Sequence, residues 1–196
     1  MKRYLAVLIF ALASSALAAP APLKPGDSAP NFTAEASLAG KNFVFSLNKA
    51  LKKGPVVLYF YPSAFTQGCD IEAHTFAENQ QKFVAADATI IGVSADSIER
   101  LDAFSSAPSY CAGKFPVASD ADLKISSSYG LTAAKGAGGF KDVRGDEINH
   151  AFIERTTFVI GKDHKIVAVL SSRADHLHPD QHVYKSLEVV EKLASK

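Results

Sequence analysis

The chain has 196 residues, enough for one globular domain with its own core. Hydrophobic residues are 47% and charged residues 21%, which excludes a disordered chain. A formal net charge of +1 supplies no field to gather nucleic acid or an anionic membrane, so neither is expected as a partner.

The N-terminus reads as a basic pair, Lys2-Arg3, then an apolar run from Tyr4 to Leu12, then small residues to Ala19. This is the layout of a secretory signal. Ala16-Leu17-Ala18 places the cut after Ala18, giving a signal peptide over 1–18 and one domain over 19–196. The apolar run is shorter than the ~20 residues of a membrane-spanning helix, which weighs against an uncleaved anchor. No cysteine follows it for lipid attachment. The expectation is an exported protein, periplasmic in location and not held at a membrane after cleavage. Oxidising compartments of that kind permit disulfides.

Pro20 to Pro30 holds four prolines and reads as an extended lead-in. Asn42 to Leu47 reads as a short strand. Val56 to Tyr61 is continuously apolar and aromatic, the pattern of a central strand buried on both faces. After Gly68 the period becomes helical to about Ala86, with Ala73, Phe76, Ala77 and Phe83 along it. Ala88 to Ser94 is a second buried strand. Asp96 or Ser97 caps the next helix, which Pro108 ends. Phe115 to Ala118 reads as a strand and Leu123 to Tyr129 as a short helix closed by Gly130.

Gly130 to Ile148 is glycine-rich and charged without a period, and reads as a long surface loop. Phe158 to Leu170 is a hairpin signal. Val183, Leu187, Val190 and Ala194 mark a C-terminal amphipathic helix. Strands alternating with helices, then a hairpin, predict an α/β fold of thioredoxin-like plan with an N-terminal extension. Its mixed central sheet is flanked by helices.

The chemistry concentrates in Tyr61-Pro62-Ser63-Ala64-Phe65-Thr66-Gln67-Gly68-Cys69-Asp70-Ile71-Glu72. This segment joins the C-terminal end of a central strand to a helix N-terminus, the edge where open α/β sheets bind ligands. Cys69 falls in the first helical turn, where free N–H groups and the macrodipole favour an anion. A thiol there is expected to be acidified, and its place between Gly68 and Asp70 argues against burial. The alternative is an inert buried cysteine. Thr66 stands where a C-x-x-C oxidoreductase has its first cysteine, so dithiol exchange within this loop is impossible and a single attacking thiolate is left. The Thr66 hydroxyl suits a donor to that thiolate, a helix N-cap, or both.

Pro62, Thr66 and Cys69 match the pattern Pro-x-x-x-Thr-x-x-Cys, and the chain resembles the peroxiredoxin family over nearly all of its mature length. Gly26, Ala29, Pro30 and Phe32 resemble that family's entry segment. Arg155-Thr156-Thr157-Phe158-Val159-Ile160 resembles its late strand, which carries an active-site arginine. Glu72, three after the cysteine, points to the bacterioferritin-comigratory or Q-type branch.

The resemblance implies a thiol peroxidase acting on hydrogen peroxide and organic hydroperoxides. Cys69 would pass through a sulfenic acid. Arg155 would stabilise the thiolate and the charge on the leaving oxygen. Pro62 would shield the sulfur, in addition to ending the strand. Glu72 would orient Arg155, the plainer alternative being a helix-surface charge. The competing arginines, Arg100, Arg144 and Arg173, match no motif. The implied partner is a thiol reductant such as a thioredoxin-like protein in the same compartment. No cofactor or metal is called for.

Many Q-type members carry a second cysteine five residues after the first, where this chain has His74. Cys111, just past the helix ended by Pro108, is the remaining candidate to resolve the sulfenic acid as an intramolecular disulfide. A monomer would then suffice. The 130–148 loop exceeds the family plan, and His164 replaces a usual turn glycine; neither is expected to touch the chemistry. His176, His178 and His182 read as three exposed histidines of a C-terminal loop rather than a metal site. Two other readings compete: an exported thiol–disulfide oxidoreductase, and a non-catalytic binding module with a structural Cys69–Cys111 bond.

Overall fold

A computed structural model describes residues 22–136 and 138–195; the signal segment expected over 1–18 lies outside the described residues. The chain opens with a hairpin of β1 (Thr33–Leu38) and β2 (Lys41–Ser46). Then follow α1 (Leu47–Leu51), β3 (Val56–Phe60), α2 (Gln67–Ala85), β4 (Thr89–Ser94) and α3 (Ile98–Ser106). The second half runs β5 (Val117–Ser119), α4 (Lys124–Ser128), β6 (Ala133–Ala134), β7 (Phe152–Ile153), β8 (Thr156–Ile160), β9 (Ile166–Ser171) and α5 (Pro179–Ala194).

Seven strands form one mixed sheet in the order β2-β1-β5-β4-β3-β8-β9. β3, β4 and β5 run parallel, as helical crossovers require, while β8 joins β3 antiparallel. β3 lies inside this arrangement, between β4 and β8, and all five of its residues are buried, as its unbroken apolar run predicts. The C-terminal end of β3 therefore opens into the Pro62–Thr66 loop within the sheet edge rather than at its rim. Tyr61 continues the ladder by one bond, its N–H donating to the Val93 carbonyl 3.1 Å away.

The sheet divides two cores. One face carries Tyr59, Tyr61, Phe76, Phe104, Phe115 and Val183, together with both cysteines, under α2, α3 and α5. The other packs Phe45, Leu51, Leu58, Phe60, Tyr129 and Phe158.

Three expectations are corrected. β1 lies between the lead-in and the strand expected from Asn42, where the sequence pattern marks no element; its inward side chains are chiefly alanines, Ala34 and Ala36, too small to give a strong alternation. The 130–148 stretch is not merely a surface loop: β6 pairs with β7, and the chain beyond folds back against the loop after β3. His182 is fully buried rather than exposed. α5 begins at Pro179, capped by His178, and turns His182 inward, with Nδ1 3.0 Å from Thr157 Oγ1 and Nε2 2.9 Å from Ser172 Oγ. His176 and His178 are exposed as expected.

Candidate active site

The loop after β3 delivers Pro62 to Thr66 and then starts α2, so Cys69 is the third residue of that helix. The first intrahelical bond is donated by the Asp70 N–H to the Thr66 carbonyl at 2.8 Å, which leaves the N–H groups of Gln67, Gly68 and Cys69 ahead of the helix ladder. Thr66 occupies the N-cap position, but its side chain caps nothing. Its hydroxyl donates instead to the Ser63 carbonyl at 2.8 Å and lies near enough to Cys69 to favour the thiolate.

Arg155 reaches Cys69 from the residue before β8, with Nη2 donating to Sγ at 3.2 Å, and its Nη1 binds Glu72 Oε2. Glu72 is fully buried, so it is no surface charge. Burial raises its carboxyl to about 7, against the pull of Arg155. Gly68 is what lets this meeting happen: a Cβ there would lie 3.2 Å from Arg155 Nη2 and 3.4 Å from Pro179 Cγ. Four of the residues singled out in the sequence, Thr66, Cys69, Glu72 and Arg155, thus converge. Pro62 sits at the strand end, half-buried, ahead of them.

Cys69 itself is 2% exposed. The turn position does not keep it open, because α3, α5 and the aromatic residues of β3 close over the same core. Burial pushes its thiol upward, Arg155 and the Thr66 hydroxyl pull it down, and the net direction is up. The acidification expected from the helix start alone is therefore outweighed by depth in this closed state.

Cys111 is also free and fully buried, in the turn after α3. Burial holds its thiol well above the ordinary range. Tyr59 and Tyr61 stack at 5.4 Å within electrostatic reach of both sulfurs, and their hydroxyls are buried without hydrogen-bond partners. The Cys111 turn is tight, with Ala112 at φ 51° and Gly113 at φ 67°.

Residues that sequence reasoning passed over pin the Pro62–Thr66 loop. Buried Asp96 accepts from the Ala64 N–H at 2.8 Å, from Arg100 Nε at 2.8 Å and from Ser94 Oγ at 2.6 Å; it also lies 2.9 Å from His150 Nε2. Ser97, not Asp96, caps α3. Asp142 and Arg144 come from the stretch read as irrelevant to the chemistry, and both lie over this loop. A buried aspartate directly after a central strand was a readable signal; contacts across more than 40 residues were not. No group of three or more His, Cys, Asp or Glu gathers as a metal site among the described residues.

This geometry can be set beside known proteins. The AhpC/TSA family model matches residues 25–169. The chain belongs to the AhpC/TSA family. It is a peroxiredoxin, and relatives of the Q-type branch are among those it resembles. A protein from Mycobacterium tuberculosis named as a peroxiredoxin is 34% identical over 145 residues, spanning 74% of this chain and 83% of its own. Peroxiredoxin Q of Sedum lineare is 29% identical over 148 residues, 76% of this chain and 69% of that one. Among solved structures, the peroxidoxin BcpB of Mycobacterium tuberculosis superposes with a TM-score of 0.69 at 27% identity, covering 87% of this chain and 97% of BcpB. The bacterioferritin comigratory protein of Xanthomonas campestris gives 0.62 at 26%, covering 82% and 91%. The peroxiredoxin is a thiol peroxidase with a thioredoxin-like fold.

Proposed function

We propose that this peroxiredoxin reduces hydrogen peroxide and organic hydroperoxides through Cys69, and that Cys111 resolves the product. The observation that carries the reading is the 3.2 Å donation from Arg155 to Cys69 Sγ, with Arg155 held in turn by Glu72. The thiolate attacks one peroxide oxygen; an S–O bond forms, the O–O bond breaks, and the leaving alkoxide, or hydroxide from hydrogen peroxide, takes a proton to become an alcohol or water. Arg155 faces both the sulfur and the oxygen that gains charge. Burial holds the thiol up, and a peroxide O–H donating to Sγ stabilises the thiolate when substrate enters.

The sulfenic acid then meets the Cys111 thiol, an S–S bond forms and water leaves. An external dithiol, a thioredoxin-like protein of the same compartment, restores both thiols. Neither step needs a second subunit, so the working unit is a monomer. The basic pair Lys2-Arg3, the apolar run from Tyr4 and the Ala16-Leu17-Ala18 pattern support a leader over 1–18 and an exported enzyme, periplasmic in a cell with two membranes.

The test is the intact mass of reduced protein before and after one equivalent of peroxide, with a non-reducing peptide map. Loss of two hydrogens and a linked Cys69–Cys111 peptide pair is the expected result. Intermolecular Cys69–Cys69 pairs, or a lasting sulfenic acid, would show a one-cysteine peroxidase resolved by an external thiol.

A further inference from the structure

The Pro62–Thr66 loop is fastened from outside by residues that touch neither sulfur. Phe65 holds a left-handed backbone at φ 58°, unfavourable for an aromatic residue, yet is 2% exposed. Its carbonyl accepts from the Val143 N–H at 2.9 Å. The Arg144 guanidinium lies 3.4 Å from the Phe65 ring centroid, a cation–π contact. Asp142 grips Arg144 at 2.9 Å and Arg100 at 2.8 Å, and Arg100 donates to the Ala64 carbonyl at 2.9 Å. On its inner side the Phe65 ring meets Phe104 edge-on at 5.1 Å and Tyr110 at 5.2 Å. Tyr110 is the neighbour of Cys111. Phe65 is thus a wedge between the segment that carries Cys69 and the segment that carries Cys111, with Arg144 as its outer plate.

We propose that Arg144 is a positioning residue: clamped by Asp142, it presses Phe65 against Tyr110 and holds the Cys69 loop folded, which sets how fast Cys69 leaves its pocket after oxidation. The timing role rests on the reading of Cys111 as resolving thiol; the holding role does not. Bond formation between sulfurs buried on two separate elements is eased when one of those elements moves, and the strained Phe65 backbone stores energy that release of Arg144 makes available. Asp70, next to Cys69, supports the same direction. Its Oδ1 is buried without a partner, and opening the loop gives that atom to water.

The test compares wild type, Arg144→Ala, Arg144→Lys and a loop control, Lys141→Ala, in the full mature chain. Rapid acid quench and intact mass after one equivalent of hydrogen peroxide separate sulfenic acid formation from disulfide formation. Amide hydrogen exchange follows residues 64–70 in the reduced state. Arg144 is partly exposed and Arg100 still pairs buried Asp142 without it, so Arg144→Ala should fold, which far-ultraviolet circular dichroism checks. Arg144→Ala should keep the first phase near wild type, speed the second ~3- to 10-fold and speed exchange at 64–70 similarly. Arg144→Lys keeps the ion pair with Asp142 and should restore part of both effects, whereas Lys141→Ala should change neither.

A general loosening would slow the first phase as well, and that result would overturn the proposal. So would a disulfide phase, or exchange at 64–70, that is the same in Arg144→Ala as in wild type. If wild type forms no Cys69–Cys111 bond, the resolution reading fails on its own, and the exchange comparison alone decides whether Arg144 holds the loop.

Discussion

Cys69 is caught between two opposed influences, and the residues responsible can be separated by substitution. Arg155 lowers the thiol and Glu72 raises it. Arg155→Met should therefore shift the thiolate titration, followed by ultraviolet absorbance, to higher pH and slow the peroxide step by about 10²- to 10³-fold. Glu72→Gln removes the opposing charge and should shift the same titration to lower pH. A common direction for the two variants would contradict the arrangement. Cys69 and Thr66 were legible in the sequence from their place between a central strand and a helix start, and Glu72 and Arg155 through the resemblance to the peroxiredoxin family. The depth of Cys69 was not, because it depends on which helices close over that edge. Asp142 and Arg144 were not legible either, since nothing local in a glycine-rich stretch says where it folds back.

At the level of elements, α5 and the β8–β9 hairpin are joined by buried His182. Burial and the nearby Arg155 charge lower its imidazole to about 4. The folded state keeps His182 neutral at pH values where an unfolded chain would protonate it. Stability is therefore full above the unfolded value near 6.5, and it falls as pH drops from there toward 4. Urea unfolding should show a loss of about 2 kcal/mol between pH 7 and 5 from this group. His182→Gln should flatten that part of the profile; a wild-type curve flat over this window would contradict the buried neutral state.

β4 offers a second check. Gly92 lies against Tyr59, where an added Cβ would meet the phenol carbon and oxygen at 2.6 Å. Gly92→Ala should cost about 1–3 kcal/mol in the same unfolding measurement, and an unchanged midpoint would mean that Tyr59 has room to move. The apolar runs of β3 and β4 were readable because both faces are buried. The glycine's reason was not, since it belongs to a ring on the neighbouring strand.

Across the whole molecule, one sheet edge gathers a loop, a helix start and an arginine from a distant strand, while a second thiol waits in the same core. Under the proposed resolution by Cys111 the enzyme opens locally in each cycle, and the strained turns at Phe65 and Ala112 flank the two segments that would move. The α/β plan was legible because alternating strands and helices leave few right-handed arrangements; β2 was legible too, but β1, its partner in the hairpin, was not, for want of large inward side chains. If the leader is cut as Ala16-Leu17-Ala18 suggests, N-terminal sequencing of protein from the producing cell should begin at Ala19; an intact Met1 would speak for a retained anchor. The central claim is that Cys69 is the peroxide-reducing thiolate, and its most direct test is the second-order rate of hydrogen peroxide consumption by reduced wild type and Cys69→Ser. Wild type should react orders of magnitude faster than a free thiol, and Cys69→Ser should not react measurably; fast turnover in Cys69→Ser would contradict the account.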